Sequence, residues 1–126
     1  VGEPAPVGDD AGSSAPEAID WLGLERRFPE RGPFIDRLAE TFLKAHGQTP
    51  ARLREAASGN DRETIVFLAH SLKGVAGSLL APRLLAQSRD IEEAGGQESA
   101  DLGRLALALA DVLDEALEAA TARLAR

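Results

Sequence analysis

The strongest constraint on this chain is a spacing. Leu102, Leu105, Leu109, Val112, Leu113 and Leu117 recur every three or four positions, the interval that gathers side chains on one face of an α-helix. A half-buried strand would need strict alternation, which these residues do not show. The same interval links Phe34, Ile35, Leu38, Phe42 and Leu43, and again Ile65, Leu68, Leu72, Val75 and Leu79. Aromatic residues are only 4% of the chain, and Ala and Leu supply most of the apolar mass, which favours helices over sheets. The expected fold class is all-α.

Proline and glycine divide the helical stretches. Residues 1–16 are rich in Pro, Gly, Ser and Asp, with little to bury, and read as a flexible linker to a domain over 17–126. Such a tether suggests a domain that is part of something longer. Ser14, Pro16 and Glu17 offer a cap, an early proline and an early acid, so a short helix is expected from Pro16 to about Arg27, carrying Ile19, Trp21, Leu22 and Leu24. After the Pro29 to Pro33 interruption comes the Phe34 helix, closed near His46 and Gly47, where His46 reads as a favourable charge at a helix C-terminus. Thr49 and Pro50 open a short helix with Leu53, Ala56 and Ala57, closed by Ser58 to Asp61. A long helix follows from about Asp61 to Leu80, stopped by Pro82. Another spans Pro82 to Ala94 with Leu84, Leu85, Ser88 and Ile91 inward, and a last one runs from about Ser99 to Arg126, including Leu124. At 126 residues, 44% of them hydrophobic, the chain suits one domain. Short connections between these helices imply an antiparallel four-helix bundle with additional short N-terminal helices.

Several function classes fall away. There is no cysteine, so disulfides and thiolate chemistry are excluded. The formal net charge of −7, from 21 acidic and 14 basic residues, argues against nucleic acid as a partner. No stretch has the ~20 apolar residues that cross a bilayer, and the first residues lack a signal-peptide layout. The two histidines, His46 and His70, belong to no metal-ligand motif, so no metal is expected.

On a helical wheel of the Asp61–Leu80 stretch, Ile65, Leu68, Leu72, Val75, Leu79 and Ala76 fill one stripe, the expected buried face. His70, Lys73, Gly74 and Gly77 form a second row, at spacings of three, four and seven from His70, on the solvent side. Glycine inside a helix costs roughly 1 kcal/mol relative to Ala. Two glycines on an exposed face therefore break a local rule, and such breaks tend to mark function. They would clear space around an imidazole for another protein, and Lys73 would place a cation near a phosphoryl group on that ring. The plainer readings stand beside this one: residue type alone favours an ordinary surface histidine, a solvated lysine, and glycines that let another helix approach.

The run from Ala69 to Ala81, Ala-His-Ser-Leu-Lys-Gly-Val-Ala-Gly-Ser-Leu-Leu-Ala, resembles the signature of the histidine phosphotransfer (HPt) family, in which His-x-Leu-Lys-Gly-x-Ala precedes small residues. The resemblance extends from about Ala18 to the C-terminus, through Ile19-Asp20-Trp21, the Phe34–Phe42 helix, the Gly59-Asn60-Asp61 turn and Ile91-Glu92. Leu80 departs from it, since many members carry Gly there. By that resemblance His70 accepts and donates the phosphoryl group through Nε2, Lys73 offsets phosphate charge, Gly74 gives clearance, and Glu92 could orient the imidazole through its other nitrogen. Val66, Phe67, Gly77 and Ser78 would form the docking surface, with Arg83 and Arg89 at its rim.

The resemblance implies a phosphorelay intermediate that passes phosphate between His70 and aspartates of response-regulator receiver domains, without kinase activity of its own. The receiver would bring the acidic pocket and Mg²⁺, and the domain itself no cofactor. It also implies a monomer in the cytoplasm, either tethered as the C-terminal part of an inner-membrane hybrid sensor kinase or free-standing. A kinase reading fails because no phosphate-cradling glycine loop follows a strand. The alternative from another class is a helical interaction module that binds its partner without phosphate.

Overall fold

Three aspartates start three of the helices. The carboxylates of Asp20, Asp61 and Asp101 accept from the backbone N–H of Gly23, Thr64 and Arg104, at 2.9, 3.2 and 3.1 Å, each satisfying a donor that the first turn leaves without a partner. Proline occupies the first turn of three others, at Pro33, Pro50 and Pro82, where its missing N–H costs nothing. The computed structural model describes residues 17–98 and 100–126. Among them the helices are α1 (Trp21–Arg27), α2 (Gly32–His46), α3 (Thr49–Ser58), α4 (Arg62–Leu79), α5 (Pro82–Ala94) and α6 (Leu102–Leu124), with no strand.

The expected linker, and the cap at Ser14 and Pro16, lie outside the described residues. Within them the first helix begins at Trp21 rather than Pro16, because Asp20 takes the capping role. The last helix begins at Leu102 rather than near Ser99 for the same reason, Asp101 being its cap.

Cross-helix contacts give the topology. Arg54 on α3 reaches Asp111 and Asp114 on α6 at 2.9 and 2.7 Å, while Gly103 lies against the Ala57 backbone, so the two helices run antiparallel. Asp36 on α2 meets Arg123 near the far end of α6. The α2 and α3 helices thus run in one direction along α6, separated only by Gly47 and Gln48. Together they make one bent leg opposite a helix that spans about 34 Å. The remaining legs are α4 and α5, joined in a hairpin by Leu80 and Ala81, giving an antiparallel four-helix bundle with α1 laid across one end.

The core holds Ile35, Phe42, Leu53, Ile65, Leu68, Leu72, Leu84, Ile91, Leu109 and Leu113, with Ala39, Ala69, Ala76, Ala106 and Ala110 where helices approach closely. The long-helix stripe is buried as expected, except that Val75 and, on α5, Leu85 are only partly covered. Leu22 and Leu124 remain exposed, at 55% and 37%, the first on the short α1 and the second at the last residue of α6.

Two further details correct the sequence reading. His46 is half-buried against the Phe42 ring, with Nδ1 3.2 Å from Thr49 Oγ1. Burial lowers its pKa, so the expected helix-end charge is disfavoured there. Leu80 occupies the left-handed region at φ 55°, ψ 55°, which explains why glycine suits that position. Its backbone carbonyl accepts from the Asp20 N–H at 2.8 Å, tying the entry to α1 onto the α4–α5 turn.

Candidate functional site

The buried stripe of α4 fixes what faces water. With Leu68, Ala69, Leu72 and Ala76 sealed in the core, the opposite arc carries Phe67, His70, Gly74 and Ser78, all exposed, and Gly77, half-exposed. The His70 side chain is 71% exposed. A methyl built on Gly74 or Gly77 would have nothing within 4 Å. Neither glycine therefore serves close helix packing, which removes that alternative.

The α4–α5 hairpin brings Glu92 to the same place. Its Oε2 lies 2.5 Å from His70 Nδ1, and its Oε1 lies 2.6 Å from Lys73 Nζ. A carboxylate only accepts, so Nδ1 carries the ring proton and donates it, leaving the Nε2 lone pair for chemistry. Hydrogen bonding from Lys73 first, and His70 second, holds the Glu92 carboxyl below the usual carboxylate range. Glu92 therefore stays charged and acceptor-only.

The remaining residues are distributed unevenly. Phe67, one turn before His70, is 64% exposed and is not buried against a neighbouring helix. Val66 is partly buried against Gly95 at the α4–α5 seam and offers less surface than expected. Arg89 is exposed on α5, one turn before Glu92 on the same flank. The expectation for Arg83 is corrected: its guanidinium is paired with Glu115 of α6, on the flank of α5 turned away from α4. A helical step of 100° per residue puts Arg83 and Glu92 on opposite sides.

Sequence reading missed a hollow of about 540 Å³ beside the glycines, lined by Gly74, Gly77 and Ser78 from α4 and by Arg27, Phe28, Phe34 and Leu38 from the α1–α2 corner. Phe28 and Phe34 meet edge to face at 5.0 Å between ring centres. Local pattern gave no signal for this, because Phe28 falls in the break between helices and reaches α4 only through the tertiary fold.

Among the described residues no group of three His, Cys, Asp or Glu side chains is placed to hold a metal ion. No helix among them is long and apolar enough to cross a membrane.

The fold and the site together define a helical bundle that presents one imidazole on a bare, solvent-facing arc, with its second nitrogen held by a carboxylate. Comparison with known families agrees: the Hpt domain family matches residues 37–123, and the chain belongs to that family. Histidine phosphotransfer in a phosphorelay is what such a domain does, as a carrier of phosphate. No curated protein and no solved structure matches the chain.

Proposed function

We propose that His70 is the phosphorylated residue of this domain and relays a phosphoryl group between aspartates of response-regulator receiver domains. One observation carries the reading: the exposed ring has Nδ1 occupied by Glu92 at 2.5 Å, which directs reactivity to Nε2. In the forward step the Nε2 lone pair attacks the phosphorus of an aspartyl phosphate, the acyl P–O bond breaks, and its electron pair returns to the receiver carboxylate. Lys73, 37% exposed and one turn from His70, offsets the phosphoryl charge. Gly74 and Gly77 keep the approach open, Phe67 and Ser78 are contact residues, and Arg89 stands at the rim. The Mg²⁺ that the transfer uses comes with the receiver. Arg83 and Val66 have lesser parts, one being paired with α6 and the other half-covered. The domain acts as a monomer in the cytoplasm, without kinase activity, and the tether expected over 1–16 is consistent with attachment to a hybrid sensor kinase.

The test mixes the domain with several ³²P-labelled receivers and compares the wild type with His70→Gln. Acid-labile, alkali-stable label on the wild type alone is the expected result. No label from any receiver, with the fold intact, would favour a phosphate-independent interaction module.

A further inference from the structure

The hollow beside Gly74 carries a charge opposite to that of the molecule as a whole. The chain is acidic, at −7, yet the α1–α2 corner that walls the hollow bears Arg26, Arg27 and Arg31, all exposed. Arg54, Arg83 and Arg123 are turned to the fold itself and pair with its carboxylates. Arg27 instead lines the hollow. The Arg31 guanidinium lies 4.7 Å from the centre of the Phe34 ring, which belongs to the same wall, and that is within the range of a cation–π contact. Helix ends do not account for the pair. Arg27, in the last turn of α1, suits the negative end of that helix, but Arg31 is the N-cap of α2, where a cation is unfavourable. Its side chain makes no capping hydrogen bond, and no acid occupies the first turn to offset it. At the other end of the same face, past His70, Glu63 on α4 and Glu93 on α5 are exposed. The face is therefore cationic at the hollow and anionic beyond the histidine.

We propose that Arg27 and Arg31 are specificity-determining residues, which select among receiver domains those that present a carboxylate beside the apolar side chain entering the hollow. This rests on the phosphotransfer reading above. The hollow is continuous with the arc of His70, since Gly74 belongs to both and stands one turn from the ring, so a partner seated over the imidazole covers both. Phe28, Phe34 and Leu38 supply the apolar wall. Stacking on Phe34 orders the Arg31 guanidinium in advance, so pairing it with a carboxylate forfeits less side-chain freedom. A receiver with lysine or arginine at that place meets like charge, and rejection of wrong partners contributes to selection as much as attraction does. The separation of charge along the face also sets orientation, with the acidic side of the receiver toward the hollow and its basic side toward Glu63 and Glu93.

The experiment titrates the full, unphosphorylated chain with a panel of purified receiver domains by calorimetry, at low salt and at high salt, so that binding is read apart from transfer. Arg27→Gln and Arg31→Gln should each weaken the tightest-binding receiver by roughly two- to fivefold at low salt, and the difference should shrink at high salt as the charges are screened. Arg104→Gln removes the same charge from an exposed site on α6, the helix diagonal to α4, and should leave the ranking of receivers as it was. Arg31→Glu should reverse the preference, and one Asp→Lys or Glu→Lys change on the receiver should restore its binding, a rescue that a merely structural role for Arg31 would not produce. Unchanged affinities in both glutamine variants would overturn the proposal, as would an equal loss in Arg104→Gln or the absence of binding by every receiver. If receivers bind in the expected order but no phosphate reaches His70, the relay reading fails and the selection by Arg27 and Arg31 stands. If His70 is labelled equally fast by every receiver in wild type and variants, the relay stands and the selection fails.

Discussion

The Arg123 guanidinium lies 4.9 Å from the centre of the Trp21 ring, joining the last turn of α6 to the first turn of α1. The same side chain, only 7% exposed, reaches Asp36 on α2 at 2.8 Å and Glu25 on α1 at 3.5 Å. One cation thus fastens three helices at the end of the bundle, and α1, which contributes Arg27 and leads into Phe28, helps to shape the hollow beside Gly74. Arg123→Met should cost about 1.5 to 3 kcal/mol, the range for hydrogen bonds to charged groups, and no more, because Glu25 and Asp36 are half-exposed and water resolvates them. Since Trp21 is the single tryptophan, its fluorescence should report loosening of α1 before global unfolding. Coincident transitions by fluorescence and circular dichroism, at an unchanged midpoint, would count against the clasp.

Gly74 and Gly77 make a prediction with opposite signs for stability and transfer. A Cβ at either position meets nothing within 4 Å, so Gly74→Ala and Gly77→Ala should each stabilise the fold by about 0.5 to 1 kcal/mol. For a domain of this size that raises Tm by about 2 to 5 °C. Transfer from a receiver should slow at the same time, most for Gly74→Ala, because position 74 is one turn from His70 on the same exposed arc. A variant both more stable and equally fast would show that the bare arc is not used for approach.

His46 sets a pH dependence on the fold. Burial lowers its folded pKa from the ordinary 6.5, so the unfolded chain binds that proton more readily than the folded one. The resulting stability is fully present above pH 6.5, the unfolded value, and is lost as pH falls through the lower folded value. Thermal melts between pH 7.5 and 5 should therefore show a falling Tm, and His46→Gln should flatten that slope. An unchanged slope in the variant would assign the effect elsewhere.

Much of the fold was legible in the chain. Four helices open on residues whose chemistry is local: Asp61 caps by folding its side chain onto a nearby N–H, and Pro33, Pro50 and Pro82 cannot sit deeper in a helix. The inward face of α4 followed from the helical period alone, and with it the outward placement of His70. The first helix was misplaced because Ser14, Pro16 and Glu17 compete on paper with Asp20, and only the hydrogen bond from the Asp20 N–H to the Leu80 carbonyl at 2.8 Å pins the chain at the later residue.

What the sequence by itself determined is therefore periodic or adjacent: the all-helical class, the helix ends set by caps and prolines, and the arc that holds His70, Lys73, Gly74 and Gly77. What only the tertiary structure decided depends on which helices meet. Spacing within α5 cannot say whether Glu92 or Arg83 faces α4, since each lies beside the buried Leu84–Ser88–Ile91 stripe on opposite flanks. The hairpin through Leu80 and Ala81 chooses Glu92 for His70 and sends Arg83 to Glu115 on α6. The bent α2–α3 leg likewise carries Phe34 and Leu38 toward Gly74. The physical reason is that local sequence fixes a residue's angle about its own helix axis, whereas the partner at that angle is set by the packing of the whole core.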